Sequence, residues 1–567
     1  MDGGIGRVAG GAKGAGREDR LDRGAGAGFF RCYAASRTLG RTEKMIRSAL
    51  TVGAWTMASR VLGFLRDILI AAALGAGPIA DAFFVALKLP NLFRRLFGEG
   101  AFNAAFVPGF TGLLAAAGPQ PAQRFAEQAA SVMIVWLALL TLVGEILMPQ
   151  LMHVLAPGFS ADPEKFALAV NLSRITFPYL FLICLTALVS GVLNGLSRFA
   201  AAAAAPVLFN FATIGFLLWA TPFLPNAGYA LSWGVMVSGV LQLGLLLVAV
   251  RRAGMRLRIP RPRLTPEMRA LLRRLAPGLF GAGVTQINLA VDVIIASLLA
   301  PGTVSVLYYA DRVTQLPLGT IGAAVGTALL PLLTRLVRAG EAERANHTLN
   351  RALEYGFFLA LPAAFALAVA SWPIIWVLFG RGAFSAESVT LSAQALVAYA
   401  IGLPAFVTVK ALAPGMFARG DTKTPVKIGL AAVVLNLALN VAFMVPLQHV
   451  GPALATSLAA ICNAALLALV LVRRGHFWAD AQLRRRAPRI VLAAGVMAAA
   501  LWLVQPWLFA GVGEARGTKW LALATLVFFG MAVYGVVGQM VDAFDLRDAW
   551  RAFARRGQPT RLDRDVR

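Results

Sequence analysis

Long apolar runs separated by short polar connections dominate the pattern along this chain. A helix needs roughly 20 apolar residues to cross a bilayer. Fourteen such stretches can be read, centred near residues 61, 87, 139, 180, 211, 238, 288, 326, 364, 400, 435, 462, 499 and 529. Those near 61, 87 and 326 are the least uniform, because they carry charges or Pro and Gly. With 58% hydrophobic and 14% charged residues, the pattern predicts an all-α polytopic membrane protein of fourteen transmembrane helices.

The pattern also repeats. Asp67 to Gly77 reads DILIAAALGAG, and 225 positions later Asp292 to Gly302 reads DVIIASLLAPG. The same shift places Phe83-Phe84 on Tyr308-Tyr309, and Phe159-Ser160-Ala161-Asp162 on Phe384-Ser385-Ala386-Glu387. An internal repeat of apolar helices is characteristic of transporters, whose sites lie where the copies face one another.

Charge adds a topology. The net charge of +26 is concentrated in particular loops, and residues 251–275 hold nine Arg against Glu267 alone. Basic loops alternate with neutral or weakly charged ones such as GAGPIAD, APGFSADPEK and APGTVS. That alternation is the positive-inside pattern, and it predicts two cytoplasmic termini. It also accounts for a basicity that would otherwise suggest nucleic acid. Cys32, Cys184 and Cys462 are scattered, the four His lie far apart, and no nucleophile, phosphate-loop or metal-hydrolase motif is present, so no enzyme is predicted. Residues 1–44 are rich in Gly, Ala, Arg and Asp without an apolar run. They are expected to be a disordered extension, or sequence upstream of the true start at Met45.

Several charges fall inside apolar spans. On a helix Ser59, Arg60, Gly63, Arg66 and Asp67 share one face, and Asp67 can neutralise its neighbour Arg66. Asp81, Lys88, Arg94, Arg95 and Glu99 follow, then Asp311, Arg312 and Lys410 in the second copy. A charge at mid-bilayer costs at least ~2.5–3.5 kcal/mol on insertion scales, so these groups should face protein or a water-filled cavity. Arg94, Arg95 and Glu99 also suit a helix end at the interface, and the two Lys can snorkel. Guanidinium groups converging from both copies would form a chamber for an anion such as phosphate or pyrophosphate.

A second polar set is Asn288 and Asp292, four apart on one helix, with Asn436 and Asn440 on another and Thr456 on the next. One carboxylate with amide and hydroxyl oxygens suits a small hard cation, and interhelical hydrogen bonding suits the same residues.

The blocks SRVLGFLRD, DAFFVALKLPNLFRRLFGEGAFNAAFVP, YYADRVTQLP, ALLPLLTRL and LAPGMFARGDTKTPVKI, in order from Met45 onward, resemble the lipid II flippase (MurJ, or MviN) family. The resemblance implies two pseudo-symmetric six-helix lobes plus two C-terminal helices, within a superfamily that also exports lipid-linked oligosaccharides and drugs. It implies transport of lipid II, the undecaprenyl-pyrophosphate-linked peptidoglycan precursor, across a bacterial inner membrane, with the lipid tail in the bilayer or against the last two spans. By motif, the substrate-binding residues would be Arg60, Arg66, Arg94, Arg312, Asp81 and Lys410. Some members of the family are thought to bind sodium, here at Asp292, Asn436, Asn440 and Thr456. Asn440 departs from the family in being an amide near where an acid is expected, which lowers the negative charge of that set. A monomer is implied, with cell-wall synthesis machinery as a candidate partner and no nucleic acid. The alternatives are an exporter of O-antigen-type lipids or drugs, and a membrane scaffold. The expected organisation is an N-lobe over 45–252, a basic linker over 253–267, a C-lobe over 268–474, a basic loop over 475–487, two helices over 488–541 and a basic tail over 542–567.

Overall fold

Several helices begin where the sequence supplies a first-turn Pro or a capping side chain. Pro78, Pro119, Pro163 and Pro266 occupy first-turn positions, where a missing N–H removes no helical bond. Asp162 accepts from the Glu164 and Lys165 amides, both at 3.1 Å, and Thr265 accepts from the Met268 amide at 3.3 Å. The computed structural model describes residues 50–95, 101–510, 512 and 516–544. The extension over 1–44, Glu99 and most of the C-terminal tail fall outside that set, as does the Asn288 side chain.

Eighteen α-helices run through the described residues. They are α1 (50–74), α2 (Pro78–Phe93), α3 (Ala101–Ala117), α4 (Pro119–Ile146), α5 (Met148–Leu155), α6 (Pro163–Thr176), α7 (Tyr179–Gly195), α8 (Phe199–Trp219) and α9 (Ala227–Arg252), followed by α10 (Pro266–Ser297), α11 (Thr303–Arg338), α12 (Ala342–Val369), α13 (Ser371–Phe379), α14 (Ala386–Phe417), α15 (Lys423–Phe443), α16 (Gly451–Arg473), α17 (Ala481–Phe509) and α18 (Arg516–Met540). Every centre read from the sequence falls inside one of them. Among the described residues, ten helical segments are long and apolar enough to cross a membrane. Large apolar side chains such as Trp136, Phe211, Trp219, Val441 and Trp507 stand exposed on the perimeter, which suits a hydrocarbon solvent and not water.

The sequence repeat is a structural repeat. Adding 225 to the bounds of α4, α5, α8 and α9 reaches those of α12, α13, α15 and α16 within four residues. The copies differ where Pro intervenes. The first breaks at Phe177–Pro178 between α6 and α7, whereas α14 runs on through Pro404. The α2 and α3 pair corresponds to the single helix α11.

α10 does not stay with the second copy. Its first turns bury Met268, Leu271 and Leu275 against Phe106, Phe125 and Val250 of the first copy. Its last turns reach α15 and α16 through Asp292. The linker before it is strapped to α4. Gln123 Nε2 donates to the Arg256 carbonyl at 2.7 Å, and the Glu127 carboxylate accepts from the Arg258 amide at 2.9 Å.

Candidate functional site

Asp67 of α1 lies between two guanidinium groups. Arg66 Nη2 donates to its Oδ1 at 2.7 Å, and Arg312 Nε of α11 stands 3.3 Å from its Oδ2. The two Arg therefore share one carboxylate across the two copies. Tyr308 closes the group, its hydroxyl donating to Asp67 Oδ1 at 3.3 Å and accepting from Arg312 Nη2 at 2.9 Å. Arg66 also donates to Asn210 Oδ1 at 3.1 Å and lies over the Phe209 ring. Arg312 lies over the Tyr308 ring. Asp67 is 3% exposed, while the Arg312 side chain keeps 33% of its surface open. The cluster is thus a rigid, net-positive patch with one guanidinium still accessible.

Arg60 lies about 9 Å along α1 toward the basic-loop end, given a rise of about 1.5 Å per residue. It is exposed, and its guanidinium points at Gly319 on α11. Arg94 continues α2 beyond Phe93 and donates to Asn91 Oδ1 at 3.3 Å. Lys88 is half-buried, within electrostatic reach of Asp311 and Asp292. Lys410 of α14 is exposed. Of the six residues expected at the anion site, Arg66 and Arg312 come together on Asp67, and Arg60 faces the same helix as Arg312 two turns on. Asp81 lies elsewhere.

Asp81 is at the neutral-loop end, 1% exposed, between the copies. It caps α11 from outside: Oδ2 accepts from the Gly302 amide at 2.7 Å, and Oδ1 from the Ser305 amide at 2.9 Å and hydroxyl at 2.8 Å. A carboxylate there is favoured by the unpaired amides and the dipole of the helix N-terminus. Reciprocal contacts surround it. The Gly158 amide donates to Ser297 Oγ at 3.3 Å, and the Ala383 amide donates to the Ala72 carbonyl at 2.8 Å. Residues 72 and 297 are 225 apart, as are 158 and 383, so the two contacts exchange under the repeat. The approach is close. A Cβ on Gly158 would lie 2.0 Å from the Ser297 carbonyl oxygen, and one on Gly382 would lie 2.3 Å from that of Ala72. This end of the interface is shut.

Four members of the second polar set, Asp292, Asn436, Asn440 and Thr456, come together. Thr456 Oγ1 lies 3.3 and 3.4 Å from the Asp292 carboxylate oxygens, Asn440 Nδ2 donates to Asp292 Oδ1 at 3.3 Å, and Asn436 Nδ2 donates to Thr456 at 3.2 Å. Both Asn are fully buried. In this arrangement the Asn440 amide donates to Asp292 and to Asn436 Oδ1. The donor set fits a small cation when the Asn440 amide is turned to present its oxygen.

A profile of the family described as "Lipid II flippase MurJ" matches residues 70–512. The chain belongs to the lipid II flippase MurJ family. It is 44% identical over 526 residues to a protein of Rhizobium meliloti (strain 1021) named "Probable lipid II flippase MurJ", covering 92% of this chain and 98% of that one. It is 36% identical over 506 residues to the "Lipid II flippase MurJ" of Burkholderia cenocepacia, covering 88% and 97%. Among solved structures, "Lipid II flippase MurJ, inward closed conformation" superposes with a TM-score of 0.72 at 24% identity over 87% of this chain and 98% of that chain. An inward-facing multidrug transporter of the MATE family superposes at 0.60 and 15% identity, covering 75% and 98%. Both likenesses bear on the fold.

Sequence reasoning missed three contributors. Tyr308 was visible as a repeat anchor and within the YYADRVTQLP block but was given no role, Asn210 sits in an alanine-rich helix without a motif, and Lys165 lies in a loop read as weakly charged. The one signal for Lys165 was a lysine three residues after the helix-capping Asp162.

Proposed function

We propose that this protein moves lipid II from the cytoplasmic to the periplasmic leaflet of a bacterial inner membrane by alternating access. The observation that carries the reading is the pair of guanidinium groups, one from each copy, held on the single carboxylate of Asp67. A diphosphate offers more negative oxygens than one carboxylate, in a geometry that suits forked donors. It would engage the open side of Arg312 and draw on Arg60, Arg66, Arg94 and Lys410. The closed end lies at the neutral loops, so the exposed Arg60 marks the side of entry, and positive-inside charge makes that side cytoplasmic. Substrate drawing the copies together at that end would be followed by parting at the neutral-loop end. An inside-negative potential favours outward movement of an anion by about 2.3 kcal/mol per charge per 100 mV.

The same reading takes the helices as fourteen spans in two six-helix lobes, 45–252 and 268–474, with the last two spans over 488–541 beside the lipid tail, both termini cytoplasmic and the protein a monomer. Asp292, Asn436, Asn440 and Thr456 would hold a sodium ion. A cation there would supply charge that ties α10 to α15 and α16.

The test replaces the host's own flippase with this chain and probes outer-leaflet lipid II with an enzyme that cannot cross the membrane. Maintenance by the parent and loss with Arg60→Ala or Arg312→Ala is the expected result. Accumulation of lipid II inside, despite abundant inserted protein, would overturn the cargo and favour a related lipid-linked oligosaccharide.

A further inference from the structure

We infer that Lys165 is a positioning residue for transport: it sets the strength of outer closure by holding the Asp81 carboxylate aimed at the N-terminus of α11. The inference rests on the alternating-access reading above. Lys165 Nζ lies 2.8 Å from Asp81 Oδ2, with side-chain exposures of 6% and 1%. The ammonium is also 4.1 Å from the centre of the Phe159 ring, a second contact that keeps it from water. With Lys165 in place the carboxylate has four donors, one from its own copy and three from the other.

These donors differ in what happens when the copies part. The Gly302 and Ser305 contacts cross the interface and are lost. The Lys165 contact lies within the first copy and travels with Asp81. It is nevertheless worth most when the interface is shut, because the pair is then dry and its attraction unscreened. Removing one partner of such a pair leaves a buried charge uncompensated. Left without its ammonium partner, the carboxylate is drawn toward water and away from the three amide and hydroxyl donors, which weakens the shut state.

The repeat shows that this device is not a by-product of the duplicated fold. The counterparts of Asp81 and Lys165, 225 positions on, are Val306 and Thr390. The amide donors at 158 and 383 are shared by both copies, but the ion pair belongs to one. Closure by shape is symmetric, and closure by charge is added on one side only.

Ser297 reports the state of this end, since its hydroxyl meets the Gly158 amide across the interface and it is 4% exposed. In full-length protein with Cys32, Cys184 and Cys462 replaced, Ser297→Cys would be labelled in intact cells with a maleimide that cannot cross the membrane. Adding Lys165→Met should speed labelling about tenfold or more, a floor well below what loss of a buried ion-pair partner implies. Lys165→Arg should restore most of the rate seen with Ser297→Cys alone. Lys165→Met should add nothing in an Asp81→Asn background, because the effect runs through that carboxylate. An unchanged or slower rate in folded Lys165→Met protein, even with a lowered melting temperature, would reduce Lys165 to a support between α6 and α2 and overturn the inference. So would full additivity with Asp81→Asn. If the thiol of Ser297→Cys, with Lys165 and Asp81 intact, reacts only from the cytoplasmic side, the orientation in the functional reading fails. The same rate comparison, made from that side, still decides the role of Lys165.

Discussion

The rings of Phe84 and Tyr308 stack at 3.8 Å between centroids, 20° from parallel, one from each copy. Tyr308 is also the residue whose hydroxyl joins Asp67 to Arg312. One side chain thus packs in the shut interface and completes the cationic cluster. An anion that pulls Arg312 away from Tyr308 also disturbs the stack, so the site and the closure share a moving part.

Tyr308→Phe keeps the ring and removes the hydroxyl. We expect little loss of stability, about 0.5–1.5 kcal/mol for one hydrogen-bonding group, with transport clearly slowed. Thermal melting in detergent and outer-leaflet lipid II measure the two separately. Equal losses in both would deny the hydroxyl a part in transport.

Arg312→Lys keeps the charge but loses the forked contact to Asp67 and Tyr308. It should insert normally and fall far short of the parent in sustaining growth, since a point charge does not replace a guanidinium at a two-pronged site. Growth equal to the parent would make charge alone sufficient.

Gly158→Ala places a methyl group where the Ser297 carbonyl oxygen already lies. The interface has to open by more than an ångström to admit it. Faster external labelling of Ala72→Cys is expected, and an unchanged rate would show that this end is not held shut by shape.

Sodium, compared with potassium, should raise the melting temperature of the parent, and Asp292→Ala should abolish the difference. Asn440→Asp should enlarge it by adding a second carboxylate to the set. Indifference to the ion in all three proteins would leave the cluster as interhelical hydrogen bonding.

The junction of α12 and α17 supplies a pH dependence. Burial raises the Asp480 carboxyl, but the Leu483 amide and Arg351 outweigh it, so the group lies below the usual carboxylate range. A depressed folded value contributes stability above the unfolded value of about 4, and that stability is lost as the pH falls toward the folded value. Melting temperature should therefore drop more steeply below about pH 4 in the parent than in Asp480→Asn.

Much of this was legible in the sequence because hydrocarbon is an unforgiving solvent. Apolar runs marked the helices, and the offset of 225 marked the repeat, while the exchange of contacts at 72 and 297 came only with the fold. Arg60 and Arg312 stood out because a guanidinium cannot shed its charge in a span, whereas Arg66 had a neutralising neighbour in Asp67. The Asp81 carboxylate was equally visible, but its place was not. Its partners are backbone amides of Gly302 and Ser305, and every residue except Pro has such an amide. Only the fold shows which are left over at a helix N-terminus. Tyr308 and Lys165 were obscured in another way, since each matters through a neighbour and neither side chain signals that by its type alone.

α10 opens among side chains of the first copy and closes among those of the second. α1 likewise sends its last turn to Ala383 and pairs Phe64 with Phe379. Each duplicate lends its leading helix to its sibling. A gene split at the linker would therefore not encode two self-sufficient halves. It would encode two fragments with complementary gaps, each carrying the piece the other lacks.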